Sequence, residues 1–527
     1  MTTVPNGFAE KVNALFAAFD RPDSPGAVLL VRHNGQEVFC NAWGAENLNC
    51  GKLLSRQSIV RIGSQSKQFT VLLALMLEAE GKLSMADPVA KQLSDLPAFA
   101  NEVTLAHLAS NTSGWRDHFQ ALVLSGLSLY APSPRQATLD VITRQEALNF
   151  PPGSAVSYSN SGFVMLSEII ERIEGKPLAA SLEERIFAPL GMTRTALIDR
   201  DGRAVPELAS HYCKEADGWY AHNWGLPIGG EGGIASTVDD MALWLANYTD
   251  PKVGTPQMLA RMQTPPRFPN GSPSSYGMGL VIHDYHGRRF IGHGGSVAGG
   301  RSEGGRFVDA GLDIILLGNC DTITPLPLLR RVADLWFDEG PGPALELSPG
   351  RYRQQGGRGV IEIRHREGYP EIMSAGTGFD LLDCTPPEGG ARESGLINTY
   401  YRPAPETAPE AAVEAIFCGQ SQIYRPIAPR VQAAAPLSGC YRQPVQQFEV
   451  TIGSDLTCGS FTLRSPLGVF RGYLAAVDDR LWLLRAGDLP ASGLPGAEVP
   501  WMAVIEATDT GFLLDTARNK AQAFEKD

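Results

Sequence analysis

The chain has 527 residues, of which 43% are hydrophobic and 19% are charged, and its net charge at pH 7 is −12. This length predicts several folded domains, at about 100 to 200 residues per domain. The acidic balance, without a basic run, argues against nucleic acid or an anionic membrane as partner, and the longest apolar stretch is too short to span a bilayer.

The first predicted elements are an amphipathic helix and a β-hairpin. The apolar face of the helix consists of Phe8, Val12, Leu15, Phe16 and Phe19. The segment lacks the basic start and apolar core of a signal peptide, so a cytoplasmic protein is expected. The hairpin runs from Ala27 to Trp43 and turns at Asn34-Gly35, a dipeptide typical of two-residue hairpin loops.

A possible nucleophile opens the next helix. Within Ser64-Gln65-Ser66-Lys67, Ser64 stands three positions before Lys67, a spacing that occurs nowhere else in the chain. Residues three apart share a helix face, so the two side chains can meet, whereas Ser66 points elsewhere. Apolar residues from Phe69 to Leu77 predict a buried helix, and burial lowers the pKa of a lysine so that it can act as a base. Alternatively, the motif arises by chance and Ser64 only caps the helix.

Two later segments add groups suited to the same chemistry. Tyr158-x-Asn160, another pairing found once, precedes a helical pattern that ends at Gly175. A phenol can relay a proton, and an amide can bind a substrate carbonyl or orient a lysine. Further on, a predicted strand leads into His293-Gly294-Gly295, where small residues let a substrate backbone approach the strand edge.

Beyond residue 340, short alternating strands and turns replace the long helices. Leu347 to Arg353 resembles Leu437 to Arg442, which suggests a duplicated β-module. The strands predicted in the second module are Phe448 to Ile452, Phe461 to Arg464, Val469 to Leu474, Leu481 to Leu484, Trp501 to Ile505 and Phe512 to Leu514. Their spacing is typical of a small antiparallel barrel.

The three motifs, in this order, resemble those of the penicillin-recognising serine hydrolases, which include β-lactamases, D,D-peptidases, esterases and D-aminopeptidases. Other family-like pieces are His107 to Gly114 and the loop from Gly229 to Gly233. The second leads to Ser236, which with Asp239 is interpreted as a capping box. Many relatives carry Lys-Thr-Gly or Lys-Ser-Gly where this chain has His293-Gly294-Gly295, and the histidine resembles the D-aminopeptidase branch.

This resemblance implies a multidomain α/β plus β fold. A β-lactamase/transpeptidase-like catalytic domain over residues 1–340 would precede two small antiparallel, lipocalin-like β-barrel domains, over 341–430 and 431–527. It also implies a serine aminopeptidase that releases N-terminal D-residues from peptides, amides or esters through an acyl-enzyme, with no cofactor. The expected partners are a small substrate with a free N-terminus, β-lactams as inhibitors and a second copy in a homodimer.

The resemblance also assigns roles to single residues. Lys67, assisted by Tyr158, would deprotonate Ser64, and His293 would help orient Tyr158 and the substrate. The groups expected to bind the substrate are Asn160, Gly294, Gly295 and Ser296, the last through its backbone amide. In D-aminopeptidases an acidic residue on a barrel loop pairs with the substrate's amino terminus, and Asp488 is the candidate here, with Glu498 second. The alternative is that Asp488 is an ordinary turn residue beside Gly487.

Other functions are disfavoured or left open. His283 and His286 lie three apart without a nearby carboxylate helix, and the eight cysteines lack Cys-x-x-Cys spacing, so no metal site and reduced thiols are expected. A carboxylesterase or D-amino-acid amidase of the same fold would have no use for an acidic loop. An inactive relative that binds β-lactams or peptides would not need both Ser64 and its base.

Overall fold

The structure is a computed structural model of the chain. It describes residues 4–340, 345, 347–366, 369–374, 380–383, 391–393, 399–405, 407–409, 411–427, 437–453, 458–478, 480–486 and 501–527. The proposed acidic loop, with Asp488 and Glu498, therefore lies outside the described residues. The predicted domain boundaries fall in or beside residues outside these ranges and stay predictions.

Within these ranges the helices, numbered along the chain, are α1 Phe8–Phe16, α2 Ser66–Ala79, α3 Val89–Gln92, α4 Leu105–Ala109, α5 His118–Leu124, α6 Arg135–Thr143, α7 Asn160–Glu174, α8 Leu178–Leu182, α9 Ala188–Leu190, α10 Val238–Asn247, α11 Pro256–Met262 and α12 Pro325–Phe337. Short 3₁₀ turns cover Ala17–Phe19, Gly63–Gln65 and Ala98–Asn101, and a π-helical turn covers Glu183–Phe187. None of these helices is long and apolar enough to cross a membrane.

The strands of the first 340 residues are β1 Ala27–His33, β2 Gln36–Trp43, β3 Ala45–Asn47, β4 Lys52–Leu53, β5 Val60–Arg61, β6 Ala196–Leu197, β7 Tyr212–Glu215, β8 Gly218–Ala221, β9 Ile234–Ser236, β10 Val281–Tyr285, β11 Arg288–Val297, β12 Gly300–Phe307 and β13 Leu312–Gly318. The later strands are β14 Gly350–Gln354, β15 Val360–Arg366, β16 Tyr369–Ser374, β17 Asp380–Asp383, β18 Ala391–Glu393, β19 Tyr400–Pro403, β20 Val413–Phe417, β21 Gln420–Pro426, β22 Gly439–Gln443, β23 Phe448–Gly453, β24 Cys458–Ser465, β25 Gly468–Ala476, β26 Leu481–Ala486, β27 Trp501–Ala507, β28 Gly511–Asp515 and β29 Gln522–Lys526.

A six-stranded sheet of order β10-β11-β12-β13-β1-β2 forms the centre of the first domain. The predicted hairpin is confirmed, because β1 and β2 join at Asn34 and Gly35, both at positive φ. Strand β1 is interior, since it also pairs with β13 from Ala27 opposite Gly318 to His33 opposite Leu312. The N-terminal hairpin is thus built into the sheet by the last strand of the domain.

Both faces of this sheet are buried. Val28 and Leu30 pack into the core that contains α2, α7 and α10, whereas Leu29 and Val31 face the core formed with α1 and α12. Successive strand residues point to opposite faces, so β1 and β13 must be apolar at nearly every position. Helix α2 therefore lies against the sheet, and this contact places its N-terminus beside β11.

One local sequence prediction is wrong by a residue. Helix α10 is capped by Thr237, whose side chain accepts from the Asp240 N–H at 3.2 Å, so Ser236 and Asp239 do not form the predicted box. Ser236 ends β9 and shares a hydrogen bond of 2.7 Å with the Thr195 hydroxyl. The sequence does not reveal which of two adjacent residues, a serine and a threonine, caps the helix, since both side chains can accept the same hydrogen bond.

Two closed antiparallel barrels follow, β14 to β21 and β22 to β29. All six strands predicted for the second barrel are confirmed, and β22 and β29 close it by pairing with each other. The predicted duplication has a structural counterpart in the two barrels' opening strands. The Tyr352 hydroxyl donates to Ser348 O at 2.6 Å, and the Tyr441 hydroxyl donates to Leu437 O at 2.9 Å, four residues back in each case.

Hairpin tips of both barrels contact the first domain. At the β20–β21 tip, Cys418 O accepts from Asn270 Nδ2 at 2.8 Å and from Ser272 Oγ at 3.0 Å. At the β28–β29 tip, Asn519 Oδ1 accepts from the Asp117 N–H at 2.7 Å. Both tips lie next to the residues around Tyr158.

Candidate active site

Ser64 lies in the 3₁₀ turn that leads into α2, where the sequence predicted the nucleophile. Lys67 Nζ is 3.1 Å from Ser64 Oγ. Ser64 is the one partly exposed residue in the stretch 61–70, so a substrate can reach it. Ser66 is buried and structural, because its hydroxyl donates to Gly63 O at 2.6 Å and accepts from the Ile234 N–H at 3.0 Å.

The amine of Lys67 is fully buried and has three neighbours. Besides Ser64, Nζ lies 2.8 Å from Asn160 Oδ1 and 2.6 Å from Glu231 O. Burial lowers the pKa of Lys67 to about 7, with Glu231 and Asp117 opposing that shift and Arg518 adding to it. A neutral amine has two donors and one lone pair. Since Asn160 Oδ1 and Glu231 O can only accept, the lone pair is left for the hydroxyl of Ser64.

Asn160 begins α7 and is held by a buried carboxylate. Its backbone N–H and its Nδ2 both donate to Asp117 Oδ2, at 2.7 and 3.0 Å. Because a carboxylate only accepts, this contact fixes which end of the amide faces Lys67. Burial raises the pKa of Asp117, but Arg518, His118 and the backbone N–H donors together lower it by more. The pKa of this carboxyl therefore lies below its usual value.

The ring of Tyr158 lies close to two basic groups. Lys67 Nζ is 4.9 Å and Arg518 Cζ is 4.8 Å from its centroid. Its hydroxyl is buried and meets no partner at full hydrogen-bonding geometry in the described part of the chain. Burial raises the pKa of Tyr158, whereas the nearby hydroxyl of Ser64 and the cation of Arg518 lower it. The phenol is thus free to exchange a proton on the Ser64 side.

His293 contacts Tyr158 by packing rather than by a hydrogen bond. The two ring centroids are 6.0 Å apart, while His293 Nε2 is 2.9 Å from the hydroxyl of Tyr276 and Nδ1 is 2.5 Å from Gly294 O. Burial, together with the charge of Lys67, lowers the pKa of His293 to about 3, so the ring is neutral in ordinary buffers. Tyr276 is therefore the residue that fixes the orientation of this histidine.

The strand that follows His293 packs directly against the turn that carries Ser64. Strand β10 pairs with β11 only as far as Gly292. Beyond that point, residues 293–297 of β11 pair with β12 alone among the described strands. A Cβ on Gly63, which has φ +55°, would lie 2.6 Å from Ser296 N. The backbone amide of Ser296 is thus next to the nucleophile's turn, as the family resemblance implies.

The two glycines of the third motif have structural explanations. A Cβ on Gly294 would lie 2.6 Å from Glu303 Oε2, and one on Gly295 would lie 1.8 Å from Ile62 O. Both positions must remain small because protein atoms already occupy the adjoining space. The small residues were expected to admit a substrate backbone, but the contact with the turn that carries Ser64 accounts for Gly295.

Changing Gly295 to alanine is expected to displace this turn. Because the blocking atom is backbone, the strand and turn must separate, which costs about 1 to 3 kcal/mol of unfolding free energy. We expect kcat/KM to fall about ten- to hundredfold, since misplacing a nucleophile by 1 Å has that effect. Urea unfolding and steady-state kinetics measure both effects. Gly202→Ala, which meets nothing within 4 Å, is the control and should change neither. Wild-type values in both assays for Gly295→Ala would contradict the proposed contact.

Four groups at this site were not found from sequence. Asp117 follows Trp115-Arg116 in a stretch without a motif, although its role as the N-cap of α5 was readable. Glu231 acts through a backbone carbonyl, which any residue provides. Tyr276 and Arg518 come from distant segments and carry no local signal. In the described residues no cluster of three or more metal-ligating side chains is present.

Fold and site together define a β-lactamase/transpeptidase-like domain with a serine–lysine pair at the start of its central helix. Residues 12–334 match the beta-lactamase family model, and the chain belongs to that family.

A curated relative from Cereibacter sphaeroides, named D-aminopeptidase, is 32% identical over 297 residues, which cover 56% of this chain and 57% of that protein. The chain thus matches a little over half the length of this curated relative.

Solved structures confirm the fold. The octameric penicillin-binding protein homologue from Pyrococcus abyssi has a TM-score of 0.57 and 22% identity, covering 79% of this chain and 99% of that one. A D-amino acid amidase from Ochrobactrum anthropi SV3, complexed with L-phenylalanine, has a TM-score of 0.52 and 23% identity, covering 62% and 98%.

Proposed function

We propose that this protein is a serine hydrolase that releases N-terminal D-amino acids from peptides, amides or esters through an acyl-enzyme. The observation that carries the proposal is the hydrogen bonding of Lys67, which leaves its lone pair facing Ser64. The D-aminopeptidase name of the Cereibacter sphaeroides relative supports the substrate class.

The reaction proceeds in two steps. Lys67 takes the proton of Ser64 as Oγ attacks the substrate carbonyl, and the backbone amides of Ser64 and Ser296 stabilise the oxyanion. Tyr158 passes a proton to the leaving amine, after which water hydrolyses the ester formed on Ser64. Asn160 holds Lys67 in place through Oδ1. One Nδ2 hydrogen is engaged by Asp117, which leaves the other for the acyl carbonyl.

An acidic residue from the second barrel would select substrates with a free amine. Asp488 is proposed for this role and Glu498 is second; a carboxylate that faces an ammonium forms a charge-assisted hydrogen bond. Asp488→Ala should impair only free-amine substrates, with Glu498→Ala as the matched variant. If Asp488→Ala has no such effect, the esterase or amidase alternative gains support.

The test is release of p-nitroaniline from D- and L-aminoacyl anilides, with an N-acetylated D-alanyl anilide and a Ser64→Ala variant. We expect Ser64-dependent release from free-amine D-substrates alone. Equal turnover of the acetylated compound would transfer the assignment to an amidase or esterase. Complete absence of turnover would favour the inactive, ligand-binding alternative, although a binder has no need for the Ser64–Lys67 contact.

The same site predicts a class of inhibitor. β-Lactams would acylate Ser64 and inhibit slowly, which intact-protein mass spectrometry measures as an added mass that Ser64→Ala lacks.

The homodimer and the cytoplasmic compartment stay predictions. Light scattering on the purified chain measures the assembly, and an octamer such as the one named for the Pyrococcus abyssi homologue would contradict the dimer.

A further inference from the structure

The tip between β28 and β29 is held to the first domain by hydrogen bonds that each join a backbone group to a side chain. Asn519 forms a two-way pair with Asp117, accepting from its N–H at 2.7 Å and donating to its O at 3.1 Å. The Arg518 N–H donates to Gln120 Oε1 at 2.9 Å, and Arg518 O accepts from Asn149 Nδ2 at 2.7 Å. These bonds do not involve the side chain of Arg518, so the tip holds its position whatever residue stands there.

The guanidinium of Arg518 extends from this tip into the candidate active site. Its Cζ lies 4.8 Å from the ring centroid of Tyr158, and Nη1 lies 3.7 Å from Asp117 Oδ2. The side chain is 30% exposed, whereas the side chain of Asp117 is fully buried. The second barrel therefore contributes a cation to a group of residues that otherwise belong to the first domain.

We propose that Arg518 is a positioning residue for catalysis, through which the second barrel sets the charge around the Lys67–Tyr158 proton relay. The proposal deepens the function given above and rests on it for the role of the relay. Arg518 stabilises the ionised Asp117 that orients Asn160. Its positive charge also disfavours a proton on Lys67 and favours the ionised phenol of Tyr158.

The charge distribution around Lys67 supports this role. The titratable and charged groups that face its amine, in chain order, are Asp117 and His118 at the start of α5, Tyr158 before α7, Glu231 before β9, His293 on β11 and Arg518 on the barrel tip. Burial lowers the pKa of both His118 and His293, which favours their neutral forms. Arg518 is then the one cation in this set that opposes the effect of Glu231 and Asp117, both of which favour a proton on Lys67.

The test measures how fast a fluorophosphonate labels Ser64 as a function of pH, which needs no substrate. In this step a bond forms between Ser64 Oγ and phosphorus, fluoride leaves, and Lys67 takes the proton, so the rate follows the fraction of neutral Lys67. For Arg518→Gln we expect the acid limb of the profile to move upward by about half to one pH unit, because a neighbouring cation has been removed. Arg518→Lys keeps a cation at this position and should return the acid limb most of the way to its wild-type pH.

Matched controls separate this effect from a loss of structure. Arg471→Gln removes an exposed cation from the same barrel and should leave the profile unchanged. Thermal unfolding of each variant reports whether the tip stays docked. Uniformly slower labelling at every pH, without a moved limb, would mean that Arg518 is merely structural and would overturn the proposal. Labelling of Ser64 that is unchanged in Arg518→Gln would overturn it as well.

The outcomes also distinguish this inference from the proposed function. If the limb moves as expected but no D-aminoacyl anilide is cleaved, the role of Arg518 stands and the substrate assignment fails. If the anilides are cleaved but the limb does not move, the substrate assignment stands and the role of Arg518 fails. If Ser64 of the wild type is not labelled at any pH, the relay itself is absent and both are overturned.

Discussion

Replacing Lys67 with methionine is expected to lower kcat/KM by about 10³- to 10⁴-fold, because it removes the base that activates Ser64. Methionine fills a similar space in the buried site but has no lone pair with comparable basicity. The decisive comparison is Lys67→Arg, which keeps a positive charge that cannot be removed at neutral pH. Both variants should be equally inactive. Substantial activity in Lys67→Arg would mean that the lysine serves as a cation rather than as a base.

The pH profile of the wild type tests the same assignment. Burial places the pKa of Lys67 at about 7, and the base acts when it is unprotonated. The rate should therefore rise as pH increases through 7, and with a free-amine substrate it should fall again above about pH 8, because the ammonium that Asp488 would bind loses its proton. Initial-rate measurements of kcat/KM from pH 5 to 9 give both limbs. A rate that falls through pH 7 would require the protonated amine and would contradict the mechanism.

Asp117→Ala is expected to damage both stability and catalysis. The carboxylate is fully buried and accepts from Asn160 N and Nδ2 and from the Gln120 N–H at 3.1 Å. Its removal leaves these donors unsatisfied and Arg518 without its counter-ion, which costs about 3 kcal/mol of unfolding free energy. With Asn160 released, Lys67 loses its fixed orientation and kcat should fall about a hundredfold.

Urea unfolding and steady-state kinetics measure these two effects separately. Asp117→Asn keeps an oxygen that can accept from Asn160 but loses the charge, so intermediate values are expected. Asp23→Ala removes an exposed aspartate and serves as the control, with no measurable change in kcat. If Asp117→Ala behaves like Asp23→Ala, the buried bridge between Arg518 and Asn160 has no role.

Much of the first domain and of its candidate active site was predictable because the residues involved stand in short local patterns. Ser64 and Lys67 meet since a helix brings residues three apart together, and this holds in any tertiary context. Tyr158-x-Asn160 leads into a helix whose start and Gly175 end were also readable. The strands of the second barrel were found because alternation of apolar residues repeats every two positions.

Groups that depend on docking between domains were not predictable. Arg518 stands in an ordinary turn, and nothing in Thr516 to Lys520 signals that the tip contacts Asp117. Likewise Tyr276 is one tyrosine among 14 until the sheet brings it to His293. Contacts of this kind arise from packing between segments hundreds of residues apart, for which a single sequence carries no periodic signal.

The interior position of β1 has a consequence for how the chain folds during synthesis. Its partner β13 leaves the ribosome roughly 290 residues after it, which at about 5 to 20 residues per second means a delay of tens of seconds. Until then the β1 edge that β13 will cover is unpaired, in addition to the outer edge of β2, and this leaves the apolar hairpin prone to aggregation. Nascent chains truncated before residue 312 should therefore bind holdase chaperones, whereas chains extended past 337, which include both β13 and α12, should release them.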